Sequence, residues 1–237
     1  MDLGIAGKVA LVTAASKGLG RGAALALARE GCRMAICARG EDALAVTAAE
    51  LGPETLAIAA DVTEPGAPAR LVRETVERFG AIDILVANAG GPPRGRALEL
   101  DDDAVRAAVE ANLLTSIRLV REAVPHMRNA GWGRIVLIAS SSVKQPIPDL
   151  AASTIARTGL WGWAKSAAQD LVGDAITLNV LAPGLYATDR VRELGHAGHL
   201  GNPEDFGRIA AFLCSASAGF VSGTALQVDG AGTLGLL

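Results

Sequence analysis

The chain has 237 residues, half of them hydrophobic, and a formal net charge of −3. That length suits one domain with a single large core, and the faint acidity, with no dense basic run, argues against nucleic acid or an anionic membrane as partner. Cys32, Cys37 and Cys214 form no C-x-x-C and leave an odd count, which is expected of buried thiols in a reducing, cytoplasmic setting. The sequence enters its first strand without a charged-then-apolar leader, and no apolar run reaches membrane-spanning length.

In chain order, residues 9–12 form a short apolar run that breaks at Thr13-Ala14-Ala15-Ser16-Lys17-Gly18-Leu19-Gly20 and resumes as an Ala/Leu-rich segment ending at Gly31. This reads as strand, small-residue turn and helix. Glycines there let backbone approach a ligand, and the helix start offers free N–H groups to a phosphate. Gly18-x-Gly20-x-x-Ala23 fits the dinucleotide spacing; a tight turn with no ligand is the competing explanation. Further strands are expected at 32–38, 55–60, 82–87, 134–139, 176–181 and 224–228. Helices are expected near 41–50, 68–79, 101–127, 150–172 and 203–215. Strict alternation of this kind predicts an α/β, doubly wound Rossmann architecture: one parallel seven-stranded sheet covered on both faces, with residues 1–237 as a single domain.

What ends each strand is informative. Thr13, Arg39, Asp61, Asn88, Ser140 and Pro183-Gly184 close successive runs. The carboxyl ends of parallel strands line one crevice where ligands bind, and packing alone does not call for polar and glycine residues along that rim.

With these residues in place, the chain resembles the short-chain dehydrogenase/reductase family over essentially its whole length, in particular its bacterial 3-oxoacyl-acyl-carrier-protein reductases. The family's T-G-x-x-x-G-x-G corresponds to 13–20, with Ala14 where the first glycine is expected. Asp61-Val62 matches the adenine-contacting pair and Asn88-Ala89-Gly90 the N-A-G motif. Asn112 matches the helix asparagine, Pro183-Gly184 with Thr188 the nicotinamide-receiving motif, and Val228-Asp229-Gly230 the terminal V-D-G. The resemblance implies a cofactor site of Thr13, Ser16, Lys17, Gly18, Leu19, Gly20, Arg39, Asp61, Val62, Asn88, Ala89, Gly90, Arg157, Pro183, Gly184 and Thr188. NAD sites place an acidic residue at the end of the second strand. Here Cys37-Ala38-Arg39-Gly40 has none before Glu41, and Lys17 adds a second cation. NADP(H) is therefore expected over NAD(H).

The family's chemistry uses a serine to orient the carbonyl, a tyrosine to pass the proton and a lysine to hold the ribose and lower the tyrosine pKa. Ser140 is present. Thirteen residues on stands Ser153, and four further Arg157, where the tyrosine and lysine are expected. Residues four apart share a helix face, so the pair still points one way. A guanidinium keeps lysine's charge, but a serine hydroxyl is a far weaker acid than a phenol of pKa about 10. Losing a positioned general acid typically costs roughly 10²–10⁴-fold in rate. Three repairs are open: a water relay through Ser140 or Ser153, a proton donor carried by the substrate, or Tyr186, the one tyrosine, whose simpler role is packing.

Asn112 lies on the apolar stripe Val105, Val109, Ile117, Val120 and Val124. The family reading gives it a distorted helix and a water for a proton relay; satisfaction by neighbouring backbone is the alternative. The connection 189–202 is shorter than the family's usual lid and is expected to leave the substrate side open. Its His196 and His199 meet no metal-ligand spacing, so no metal site is expected. Trp161 and Trp163 share the helix of Ser153, a family dimer surface, and the apolar end 232–237 suits a second interface; a homodimer or homotetramer is expected. Two functions compete: an oxidoreductase acting on a small-molecule or carrier-bound carbonyl substrate with catalytic Ser140, Ser153, Arg157 and Asn112, and an NADP(H)-binding sensor or scaffold that has lost the chemistry.

Overall fold

The computed structural model describes residues 2–196 and 198–235. Seven strands, β1 (Val9–Val12), β2 (Arg33–Ala38), β3 (Leu56–Ala59), β4 (Ile84–Ala87), β5 (Gly133–Ile138), β6 (Ile176–Pro183) and β7 (Ala225–Val228), form one sheet in the order β3-β2-β1-β4-β5-β6-β7. Every pairing is parallel. The central strands are buried along their whole length, which accounts for their continuous apolar runs.

The period of two along β1 divides its side chains between two cores. Val9 and Leu11 face the layer of α3 (Ala67–Phe79), α5 (Thr115–Ala130) and α6 (Ala151–Asp170). Ala10 and Val12 face α1 (Gly18–Arg29), α2 (Glu41–Leu51) and α8 (Pro203–Leu213). On that second face α1 and α8 cross at Gly22 and Gly207, where a Cβ on Gly207 would lie 2.1 Å from the Gly22 carbonyl oxygen. Such proximity of backbones fixes α1, and with it the turn at its N-terminus. Among the described residues no helix is long and apolar enough to cross a membrane.

The expected elements are present with ends shifted by a few residues, with one informative difference. The segment 101–127 is not one helix. It comprises α4 (Asp102–Val109), a π turn at Glu110–Leu114, and α5. The Glu110 carbonyl accepts both the Thr115 backbone N–H and, at 3.0 Å, the Thr115 hydroxyl, which holds the wider turn open. The expected connection 189–202 likewise contains a short helix, α7 (Asp189–Glu193). Of the apolar end expected to form an interface, 236 and 237 lie outside the described residues.

Ala14 sits at φ 47°, in the left-handed region where an L side chain costs roughly 1–2 kcal/mol. Ala14→Gly should therefore raise unfolding stability by about 1 kcal/mol, read as a higher denaturant midpoint with an unchanged slope.

Candidate active site

The sheet order reverses between β1 and β4, and the crevice at that point opens at the carboxyl ends of the strands. A reciprocal pair of hydrogen bonds holds it. Buried Thr13 donates its hydroxyl to the Asn88 carbonyl at 2.7 Å and accepts the Asn88 N–H at 2.8 Å. The turn after Thr13 is fixed on its other side by the Ala15 N–H donating to the Cys37 carbonyl and the Thr47 hydroxyl donating to that of Ser16. A Cβ at Gly20 would stand 2.3 Å from the Ala14 oxygen and 2.8 Å from Asn88 Nδ2, so the turn can only close on glycine. Gly18, at φ 58°, opens α1 against Thr188.

Lys17 caps α1 in extended backbone with no side-chain hydrogen bond to the first turn, and that turn carries no acidic residue. Its leading amides are thus left to an anion. Half-buried Leu19 packs beneath them. These features fit the diphosphate of a dinucleotide.

Along the β2–β3 side, Asp61 accepts the Thr63 N–H at 2.9 Å and the Thr63 hydroxyl at 2.7 Å. The backbone bond chiefly, with Arg39 nearby, holds its carboxyl below the usual range. Val62 is core. The two expected phosphate cations do not stand free: Arg39 pairs with Asp61 and Lys17 with Asp189, each at 3.8 Å. Both cations are largely exposed, so the pairs are loose and open to exchange for another anion. After Asn88, half-buried Ala89 and exposed Gly90 carry the chain along the mouth of the crevice, with nothing within 4 Å of a Cβ at Gly90.

On the β5–β6 side, Ser140 stands two residues past the end of β5 and accepts the Ser142 N–H at 3.1 Å, leaving its own hydroxyl proton to donate elsewhere. Ser153 and Arg157 lie on the buried face of α6, each 7% exposed. Arg157 donates Nη1 to the Ile138 carbonyl at 2.7 Å, two residues before Ser140. Burial, with Arg190 adding to it, pushes the guanidinium down to about 10. Asn112 sits in the π turn packed against α6 and is 2% exposed, and neither its Oδ1 nor its Nδ2 has a hydrogen-bond partner. The alternative of satisfaction by neighbouring backbone is therefore not realised among the described residues. Pro183 ends β6, and Gly184 passes so close to Asp229 that a Cβ would lie 2.8 Å from its Cα. Thr188 caps α7, accepting the Val191 N–H.

The connection after Thr188 is tied down at several points. Arg190 donates to the Pro92 carbonyl at 2.5 Å, Arg94 donates to that of Leu194, and Tyr186 and Gly201 form an isolated bridge. Tyr186 has the packing role expected as the simpler one. It is buried, edge-on to Phe206, and its hydroxyl donates to the Val228 carbonyl at 3.0 Å. Burial raises its pKa, with Asp229 and Asp205 adding to the effect. Arg190 went unremarked in the sequence, where only its place two residues after Thr188 marked it.

A glycine turn at a switch point, an uncapped helix start and polar Ser140, Asn112 and Arg157 along the neighbouring strand ends make a crevice with features that suit a dinucleotide. A family model described as Enoyl-(Acyl carrier protein) reductase matches residues 13–233. The chain belongs to the short-chain dehydrogenase/reductase family of oxidoreductases. It is 32% identical to the 3-oxoacyl-acyl-carrier-protein reductase FabG of Escherichia coli, covering 94% of this chain and 96% of that one. It is 31% identical to dehydrogenase/reductase SDR family member 4 of Sus scrofa, covering 94% and 86%. The L-sorbose reductase of Gluconobacter frateurii, solved with NADPH and L-sorbose, superposes with a TM-score of 0.93 at 32% identity over the full length of both chains.

Tyr186→Phe should lower stability by about 1 kcal/mol, the worth of one hydrogen bond, and leave any cofactor oxidation within twofold of the parent. A larger loss of turnover at unchanged stability would return the phenol to the chemistry.

Proposed function

We propose that the protein is an NADP(H)-dependent oxidoreductase working on a carbonyl/alcohol pair, with Ser140, Ser153, Arg157 and Asn112 in place of the family's usual set. The observation that carries this reading is the state of Ser140: its oxygen already accepts an N–H from Ser142, which leaves its hydroxyl proton free to donate to a substrate oxygen. A protein that only stored a dinucleotide would need the adenine half alone. Here the nicotinamide half is kept as well, with Ser140, Asn112, Pro183-Gly184 and Thr188.

When bound, the nicotinamide supplies the hydride. The protein's share is positioning and electrostatics. Ser140 donates a hydrogen bond to the substrate carbonyl oxygen, and Arg157 places a permanent charge on the same rim, where negative charge develops on that oxygen. Ser153 is a weak acid, so the proton comes from water ordered by Ser153 and the free amide of Asn112. Turnover is accordingly slow, by roughly 10²–10⁴-fold relative to a site with a phenol. Arg157 also keeps N–H groups for the cofactor ribose. Loose pairing of Arg39 and Lys17 supports the preference for a 2′-phosphate, since either cation can exchange its carboxylate for it. We further propose a small-molecule or carrier-bound substrate, a cytoplasmic location, and a homodimer or homotetramer formed through the α6 surface.

Dissociation constants for NADPH and NADH, measured side by side, should favour NADPH, and Arg39→Ala should erase about tenfold of that preference, or about 1.4 kcal/mol. Tighter NADH binding would overturn it.

Cofactor oxidation should be measured against ketones, quinones and 3-oxoacyl thioesters, with the double variant Ser153→Tyr/Arg157→Lys in parallel. Slow turnover by the parent and faster turnover by the variant is the expected result. Turnover by the variant alone identifies a binding protein instead.

A further inference from the structure

Arg157 and Arg190 form a charge imbalance that the chemistry above leaves unexplained. Arg157 is 7% exposed and spends one N–H on a backbone carbonyl; among the described residues no carboxylate pairs with it. Arg190, on α7, reaches back over Gly91, its guanidinium atoms 3.5–3.9 Å from where a Cβ would stand, and it too rests on a carbonyl, that of Pro92. It forms no ion pair with any described residue either. The carboxylates in the neighbourhood are engaged elsewhere: Asp149 with Arg94 at 3.0 Å, Asp189 with Arg192 at 3.0 Å and with Lys17.

The two cations belong to adjoining parts of the crevice. Arg157 is tied to the end of β5 and Arg190 to the segment leaving β4, and these strands are neighbours. Arg190 adds to the burial that pushes Arg157 below its ordinary pKa. A buried charge is costly unless it is paired, and carbonyl dipoles compensate a guanidinium only in part. Ribose hydroxyls would occupy N–H groups without bringing charge. Beside them, Asn112 presents a buried amide with both polar atoms unpartnered.

We propose that the crevice selects a carbonyl substrate bearing a carboxylate, whose oxygens seat between Arg157 and Arg190. This rests on the oxidoreductase reading and narrows it to oxo acids. Planar guanidinium groups suit a carboxylate through paired N–H···O bonds, and the acid supplies the counter-charge that the fold withholds. The cofactor diphosphate is the other oxyanion within reach of Arg190, so the test separates the two.

Calorimetric titration of the NADP⁺-saturated protein avoids turnover, because a ketone and the oxidised cofactor do not react. Pyruvate, acetoacetate and levulinate place the carbonyl at increasing distance from the acid; their methyl esters remove the charge. At least one acid should bind tenfold or more tightly than its ester. Arg190→Gln, on the half-buried α7, should abolish that difference while NADP⁺ affinity stays within twofold, and Arg157→Lys should reduce it. Esters binding as well as acids, no acid binding, or discrimination surviving in Arg190→Gln each overturns the proposal. So does a tenfold loss of NADP⁺ affinity in Arg190→Gln with acid binding intact, which assigns Arg190 to the diphosphate. If NADP⁺ and NADPH themselves fail to bind, the oxidoreductase reading falls first.

Discussion

The reciprocal hydrogen bonds between Thr13 and Asn88 tie the ends of β1 and β4 together at the one place where the sheet reverses its winding. Thr13 is fully buried, so either bond left unmade would leave its hydroxyl unsatisfied away from water. With that junction fixed, the Ala14–Lys17 turn has one path. Gly20 must pass under the Ala14 carbonyl and the Asn88 amide, and α1 must start where its uncapped amides face the crevice. The crossing of α1 and α8 through Gly22 and Gly207 then prevents the helix from sliding away. The site is therefore a consequence of strand-end chemistry more than of the loops above it.

Most of this frame is readable in the amino-acid order. Seven apolar runs, each closed by a polar or glycine residue, specify a parallel sheet and the edge at which ligands gather. What escapes the sequence is pairing across space. Lys17 and Arg39 look like two unaccompanied cations, since their partners Asp189 and Asp61 are far away or on another strand in sequence. The widening of the helix at Asn112 is invisible because its apolar stripe continues on either side of the π turn. It depends on one carbonyl taking two donors from Thr115. Arg190 is hidden for the same reason. Nothing in Asp189-Arg190-Val191-Arg192 distinguishes the arginine that turns inward from the one that pairs with its neighbour.

The arginine at position 157 also has a structural meaning. Arg157 is longer than lysine and carries donors in a plane, and one of them is bonded to the backbone of β5. That links α6 to the end of β5, two residues before Ser140. The side chain thus braces the rim, and this explains how a guanidinium persists there at so little exposure.

The attachments of α7 have one more implication. Arg190 and Arg94 both end on peptide oxygens, of Pro92 and Leu194. Because both acceptors belong to the main chain, the tie between α7 and the segment after β4 does not depend on which side chains stand at positions 92 and 194.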